Sequence, residues 1–126
     1  MSGYIDIEDA LQARLAADGF DACAKPLPAS FACPHVLVDM LNAWDENAAQ
    51  AAYTVDFDCR ADDYAAAVAL QLSVERWVRG LPGSALAGKP VYAVDSLRLQ
   101  RAEPDQSHQN VIIATVSAQL RVRVAD

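Results

Sequence analysis

The chain has 126 residues with 17 acidic and 10 basic side chains, giving a formal charge of −7 at neutral pH. A chain of this length is typical of one domain, and it buries enough surface to fold without a metal ion or a disulfide. Only two lysines are present, Lys25 and Lys89, whereas nucleic-acid binding needs clustered basic side chains. We therefore expect a single domain over residues 1–126 that does not bind nucleic acid specifically.

Further sequence features indicate the cellular compartment. No stretch approaches the roughly 20 consecutive apolar residues of a membrane span, and the N-terminal sequence MSGYID lacks the basic and apolar regions of a signal peptide. An odd number of cysteines without a repeated spacing predicts reduced thiols in a cytoplasmic protein. A bridge between Cys23 and Cys33 across the intervening proline-containing loop remains an open alternative to free thiols.

The first half of the chain predicts one helix and one short strand before a polar loop. Apolar side chains recur at every fourth position between residues 6 and 17, which indicates an amphipathic helix. Three prolines within residues 21–34 exclude a regular helix and predict an extended connection. Residues 35–41 form a β-rich run, and the largely polar residues 42–47 predict a turn or loop.

The strongest patterns lie from residue 50 onward. Residues 50–59 alternate apolar and polar side chains, which predicts a strand with one buried face. Residues 61–79 carry the clearest helical pattern, with a core stripe at every third or fourth position. A strand is predicted over 91–101, a polar turn over 103–110, and a final strand over 111–124 in which every even position from 112 onward is apolar.

The element order is therefore α-β-β-α-β-β. It predicts an α+β fold: a mixed or antiparallel four-stranded sheet with two helices packed on one face and a long C-terminal β-hairpin. The final strand of 14 residues would span about 46 Å if straight, whereas a compact chain of this length is about 36 Å across. We therefore expect this strand to bend, to carry a bulge, or to project as a ribbon that packs on a neighbouring subunit.

Charge is divided unevenly along the chain. Residues 1–63 hold twelve acids and three bases, a net −9, and residues 64–126 hold five acids and seven bases, a net +2. Opposite patches on one molecule suit a head-to-tail contact that closes into a ring. One alternative is a solvated charged surface. The other is pairing of Asp56 and Asp58 with Arg121 or Arg123 across the sheet within one molecule. The candidate subunit-interface residues are Asp56, Asp58, Arg98, Arg101, Arg121 and Arg123.

Residues with catalytic potential are few. The two histidines are His35 and His108, and the run Cys33-Pro34-His35 matches no metal-binding spacing such as CxxC or HExxH. Asp56 and Asp58 alternate with buried residues, so they face solvent or a partner rather than the apolar site that raises a catalytic pKa. No glycine-rich phosphate loop occurs. We expect a protein that is not an enzyme and that needs no cofactor or metal.

The layout as a whole resembles a known family. A helix that includes IDIEDAL (5–11) precedes a proline-bearing loop and a strand near 36–40. A second strand, YTVDFDCR (53–60), runs directly into an alanine-rich helix beginning DDYAAA (62–67), and the chain closes with a hairpin that includes 101–116. This arrangement is similar to the tail-terminator proteins of long-tailed bacteriophages and prophages, also described as tail-completion or minor tail protein U-like proteins.

The resemblance implies a structural protein of the virion tail, assembled in the bacterial host cytoplasm. It implies a ring homo-oligomer, expected to be a hexamer, that caps the tail tube and joins it to the head connector. The partners would be the tail tube protein and a connector or neck protein. Two alternatives stay open: a head–tail joining or baseplate component, and a small-ligand-binding α+β domain with a pocket lined by Trp77, Phe57 and Tyr53.

Overall fold

The computed structural model describes residues 3–29 and 31–124. Both chain ends and Ser30 belong to the predicted domain but lie outside the described residues. The helices and strands, in chain order, are α1 (Ile7–Ala17), β1 (Ala22–Ala24), β2 (His35–Asp45), β3 (Gln50–Ala61), α2 (Tyr64–Arg79), β4 (Ala85–Leu86), β5 (Lys89–Leu99), β6 (Glu103–Pro104) and β7 (Ile112–Arg123).

The strands form one curled, mixed sheet of seven strands. Their order across the sheet is β1-β2-β3-β7-β5-β4, with β6 paired to one end of β7, and only the β1–β2 pair is parallel. The predicted four-stranded sheet and its α-β-β-α-β-β order are therefore wrong. The three additional strands, β1, β4 and β6, have two or three residues each, too few to show an alternating pattern, and they exist because a long neighbour offers them backbone partners.

The second strand is also longer than its sequence pattern predicts. Residues 42–47 are polar and were expected to form a loop, but β2 continues to Asp45 and pairs with the first residues of β3. The register shifts between Met40 and Asn42, which marks a bulge. Because β1 covers only residues 36–38 of β2, the polar end of β2 is an edge, where polar side chains are tolerated.

The final strand lies in the interior of the sheet rather than projecting from it. β7 pairs with β3 over all twelve of its residues without a break, and β5 and β6 pair along its other edge. The bulges sit in its neighbour β5, between Val91 and Ala93 and between Asp95 and Arg98. A bulge bends a strand and increases its twist, so β5 follows the curl of the sheet while the β3–β7 pairing stays regular.

Both helices contribute to the main hydrophobic core on one face of the sheet, and Ala67 of α2 forms a second, smaller cluster with Ala61 and Ala114. From α1 the core takes Ile7, Leu11 and Leu15, and α2 adds Val74 and Val78. Residues on β3 and β7 that face the helices are almost completely buried, as their alternation predicts: Tyr53, Val55, Phe57, Cys59, Ala114, Val116, Ala118, Leu120 and Val122. In the described residues, no helix combines the length and apolar character needed to cross a membrane.

One polar side chain of α2 is buried against the sheet. Gln71 is 5% exposed, and its Nε2 donates to the carbonyl oxygens of Gln100 (2.7 Å) and Thr115 (2.9 Å). Gln71 lies beside the apolar stripe that the sequence predicts for α2. It ties the middle of α2 to β7 and to the residue that follows β5, and thereby fixes how the helix sits on the sheet.

We expect Gln71→Leu to lower the free energy of unfolding by about 1–3 kcal/mol, because the substitution removes two hydrogen bonds, each worth roughly 0.5–1.5 kcal/mol. The Thr115 carbonyl keeps its bond from the N–H of Gln100, whereas the Gln100 carbonyl loses the Gln71 donor. Chemical denaturation followed by circular dichroism measures this loss. Gln12→Leu, at a half-buried position on α1, is the matched control and should change stability little. Equal effects of the two substitutions would contradict the bridging role of Gln71.

Candidate assembly surface

The face of the sheet opposite the helices carries a row of charged side chains. In the strand register, Asp39 of β2 lies opposite Asp56 of β3, Asp56 lies opposite Ser117 of β7, and Ser117 lies opposite Arg98 of β5. Directly paired residues share a face of a sheet, so the row runs from two acids to one arginine across four strands. We call this side of the sheet the helix-free face.

The two predicted acidic residues on this face are held by hydroxyl groups of β7. The Oγ of Ser117 donates to Oδ1 of Asp56 (2.7 Å), and the Oγ1 of Thr115 donates to Oδ1 of Asp58 (2.9 Å). Ser117 is only 1% exposed and also accepts a hydrogen bond from the side-chain amide of Gln100. The carboxylates are therefore fixed in position, and the polar side of β7 is more buried than its alternation indicates.

Burial changes the acidity of one of these carboxyl groups. Desolvation raises the pKa of Asp58, outweighing the hydrogen bond from Thr115 and the positive charge of Arg60, which both lower it; the nearby charges of Asp56 and Asp39 raise it further. The neighbouring Asp39 has a cation within reach, because Nζ of Lys25 lies 3.5 Å from its Oδ2. A positively charged partner placed against Asp58 would relieve the electrostatic cost of its burial.

The predicted arginines fall into two groups. Arg121 pairs within the molecule, with its Nε 2.9 Å from Oδ2 of Asp95 and its Nη2 3.5 Å from Oε1 of Glu46, so it does not pair with Asp56 or Asp58. The other three are exposed on β5, just after it, and at the end of β7: Arg98, Arg101 and Arg123. Within residues 3–29 and 31–124, these three make no ion pair.

A second cluster closes one end of the helix-free face, and the sequence analysis missed it. Arg60 is 7% exposed, and its Nε lies 3.1 Å from Oδ2 of Asp105, which also contacts Nδ1 of His108 at 2.9 Å. The ring of Phe31 packs against His35 and His108 at centroid distances of 5.4 and 5.1 Å. The cluster thus ties the segment before β2 to the loop before β7. Asp105 lies 45 residues from Arg60, so no local pattern predicts the pair.

Opposing influences act on the carboxyl group at the centre of this cluster. Burial by itself would raise the pKa of Asp105, but the backbone N–H of Ser107 and the side chains of Arg60 and His108 bind the carboxylate and lower the pKa overall. The ionised form is therefore favoured in the folded protein. This pattern is typical of a structural ion pair, and it keeps the buried Arg60 guanidinium compensated.

A surface cleft lies beside this cluster, and the cysteine thiols of the chain have raised pKa values. A surface cleft of ≈ 480 Å³ is lined in part by Phe31, Cys33 and His108. Burial raises the pKa of all three thiols, in Cys23, Cys33 and Cys59, which is the opposite of the shift that activates a nucleophilic cysteine. All three cysteines are free thiols. Within the described part of the chain, no three His, Cys, Asp or Glu side chains are placed to hold a metal ion.

The aromatic residues predicted to line a ligand pocket are packing residues. Tyr53 is 1% and Phe57 0% exposed, and Trp77 packs edge-on against Phe57 at a centroid distance of 6.0 Å. Their polar atoms also have partners, since the hydroxyl of Tyr53 accepts from the N–H of Ile5 (3.0 Å) and Nε1 of Trp77 donates to Asp18 (2.7 Å). These three rings fill the junction of helices and sheet.

Removing the central carboxylate of the buried cluster should destabilise the fold. We expect Asp105→Ala to lower the free energy of unfolding by about 3–5 kcal/mol, because it leaves the buried charge of Arg60 uncompensated. Thermal and denaturant unfolding measure the change. Glu103→Ala, an exposed acid on the adjacent strand β6, is the control; a similar small loss in both variants would show that the Arg60–Asp105 pair contributes little.

Asp58 should make stability depend on pH in a defined direction. Its pKa in the folded protein is raised above the unfolded value of about 3.9, so its contribution to stability is complete below that value and is lost as the pH rises through the folded pKa. Asp58→Asn should therefore increase stability at pH 7 and remove this part of the pH dependence. Unfolding titrations from pH 3.5 to 7 test this, and a less stable variant at pH 7 would contradict it.

Comparisons with known proteins yield a structural relationship only. No model of a protein family matches the chain, and no curated protein matches it significantly. Among solved structures, the fold is similar to that of a chain from the virion of a native gene transfer agent (GTA) particle, with a TM-score of 0.53 and 17% sequence identity. The match covers 95% of this chain and 99% of that chain. The similarity therefore applies to the complete fold rather than to one motif.

Proposed function

We propose that this chain is a structural component of a phage-like particle and, more narrowly, a subunit of the ring that terminates its tail. The observation that carries the proposal is the fold similarity to a chain of a gene transfer agent virion, which extends over nearly the whole of both chains. A subunit of this kind works through its surfaces. The proposal accordingly assigns no catalytic step, cofactor or metal to the chain.

The layout of charge supports assembly into a ring. The acids lie at one end of a row on the helix-free face and Arg98 lies at the other end. Arg123 is exposed on the same face at the far end of β7, and Arg101 is exposed in the segment after β5. In a head-to-tail contact the acidic side of one copy binds the basic side of the next, and such contacts close into rings when the rotation allows. We propose a hexamer built in this way, with Asp56 and Asp58 on the acidic side.

A ring of this kind would have two partners, one on each side. A terminator binds the end of the tail tube on one side and the head connector on the other, and it assembles in the bacterial host cytoplasm. The net charge of −7 suits a protein around a passage for DNA, because like charge disfavours adhesion of the nucleic acid. Of the original arginine candidates, Arg121 is the least suited to a partner, since Asp95 and Glu46 already compensate it.

Reversing the exposed arginines should abolish the ring. We expect the purified protein to show six-fold rings in negative-stain micrographs at low salt, and Arg98→Glu with Arg123→Glu to remove them, because both sides of the contact then carry negative charge. Adding Asp39→Arg and Asp56→Arg should restore the rings. Arg79→Glu on α2 is the control and should leave them intact. Unchanged rings in the reversed protein would show that this contact is wrong.

The position of the chain in the particle distinguishes a tail terminator from a baseplate component and from a head–tail joining protein. Gold labelling of a tagged copy of this chain should mark the head-proximal end of the tail if the chain is a terminator. Label at the distal end of the tail would instead identify a baseplate component. Label on heads that lack tails would identify a head–tail joining protein, and the absence of label from purified particles would contradict a virion role altogether.

A further inference from the structure

The outer side of α2 is apolar although it faces solvent. Residues 64–74 of this helix contain no charged side chain. Tyr64, Val68 and Leu72, spaced at i, i+4 and i+8, are 52%, 39% and 40% exposed. A surface helix normally carries charged and polar residues on the side away from the core, and a helix that is apolar all round is a buried helix.

This surface is continuous and is not part of the core. The core contacts of α2 come from other positions, chiefly Val74 and Val78. Small exposed residues, Ala65 and Ala69, lie beside the three larger ones, and a helix surface of this kind allows another helix to approach closely. We refer to Tyr64, Ala65, Val68, Ala69 and Leu72 as the α2 outer face. Exposed apolar patches of this type mark sites of interaction.

Charge at the two ends of the helix indicates the partner. Asp62 and Asp63 are exposed at the start of α2, and Arg76 and Arg79 are exposed in its last turn. Arg79 pairs with Glu75 on the same helix, which leaves Arg76 as the arginine of this turn without an ion pair among the described residues. A second copy of α2 running antiparallel would place Asp62 and Asp63 beside the partner's Arg76 at both ends of the contact, whereas a parallel copy would place like charges together. Antiparallel helix dipoles also attract each other at their ends. The α2 outer face is therefore complementary to itself.

We propose that the α2 outer face binds the same face of a second copy of this chain, antiparallel about a two-fold axis at Val68. This axis sets Tyr64 of one copy opposite Leu72 of the other. With a rise of 1.5 Å per residue, the partner's Arg76 then lies about 6 Å beyond Tyr64 along the helix axis, at the end where Asp62 and Asp63 precede α2. Side chains spaced at i, i+4 and i+8 form a ridge, and interdigitating ridges are the commonest way in which helices pack.

This contact is independent of the ring proposed above. Phe57 packs on Trp77 of α2, whereas its neighbours Asp56 and Asp58 point to the helix-free face, so the two contacts use opposite sides of the sheet. They also differ physically. Salt screens the contact between charged side chains, but it does not weaken burial of apolar surface. The dimer should therefore persist at salt concentrations at which a ring held by charge dissociates.

The first test is the mass in solution at high salt. Light scattering after size exclusion should give about 27 kDa, twice the 13.5 kDa of one chain. Leu72→Glu should weaken dimerisation by at least about tenfold, corresponding to ~1.4 kcal/mol. Leu41→Glu, at an exposed leucine of β2 (55% exposed), is the matched control and should leave the dimer intact. A monomer at every concentration, or equal effects of the two variants, would overturn the proposal.

The second test addresses orientation. Because Val68 lies on the proposed axis, Val68→Cys should form a disulfide-linked dimer on oxidation, while the parent protein with its native cysteines should not. In a background carrying Arg98→Glu and Arg123→Glu, which removes the ring contact, Arg76→Glu should weaken the dimer at low salt and adding Asp62→Arg should restore it. No cross-link at Val68, or no restoration, would overturn the antiparallel arrangement. If the protein forms no ring, the cross-link at Val68 and the restored dimer are still expected.

Discussion

The continuous pairing of β3 with β7 sets the positions of the other strands and of both helices. Twelve consecutive residue pairs, from Gln50 with Arg123 to Ala61 with Ile112, join the two strands without a shift in register. Because a slip of one residue would move every side chain to the opposite face, this pairing decides at once which residues enter the core and which form the helix-free face. The bulges lie in β2 and β5, which follow the curl of the sheet on either side.

Some charged side chains of the helix-free face have partners within the molecule, and others have none among the described residues. Hydroxyl groups of β7 hold Asp56 and Asp58, and the buried pair of Arg60 with Asp105 anchors the loops at one end. Breaking a buried pair is costly because it leaves a charge without compensation, so Arg60 and Asp105 stabilise this end of the surface. Arg98, Arg101 and Arg123, by contrast, have no ion-pair partner among the described residues.

The two proposed contacts differ in what holds them together. One relies on charged side chains arranged across four strands, and the other relies on an apolar helix surface flanked by acids at one end and arginines at the other. A charged contact gives orientation and responds to salt, whereas an apolar contact responds little to salt. A subunit that carries both on opposite sides of its sheet can associate with copies of itself in two distinct ways, and ionic strength distinguishes them.

Local periodicity in the sequence was sufficient to predict the long elements. The periodicities of α1, α2, β3 and β7 identified them to within a few residues and assigned the buried side of β3 and β7 correctly, because a repeat of 2 or 3.6 residues is a local property of the chain. Three features became evident only in the folded chain: the seven-stranded sheet, the extension of β2 through a polar run, and the partners of Arg121 and Arg60. Those features depend on backbone pairing or on contacts between residues far apart in the chain, such as Arg60 with Asp105, and neither leaves a local pattern in the sequence. Burial of the hydroxyls of Thr115 and Ser117 has the same origin, because it depends on which strands flank β7.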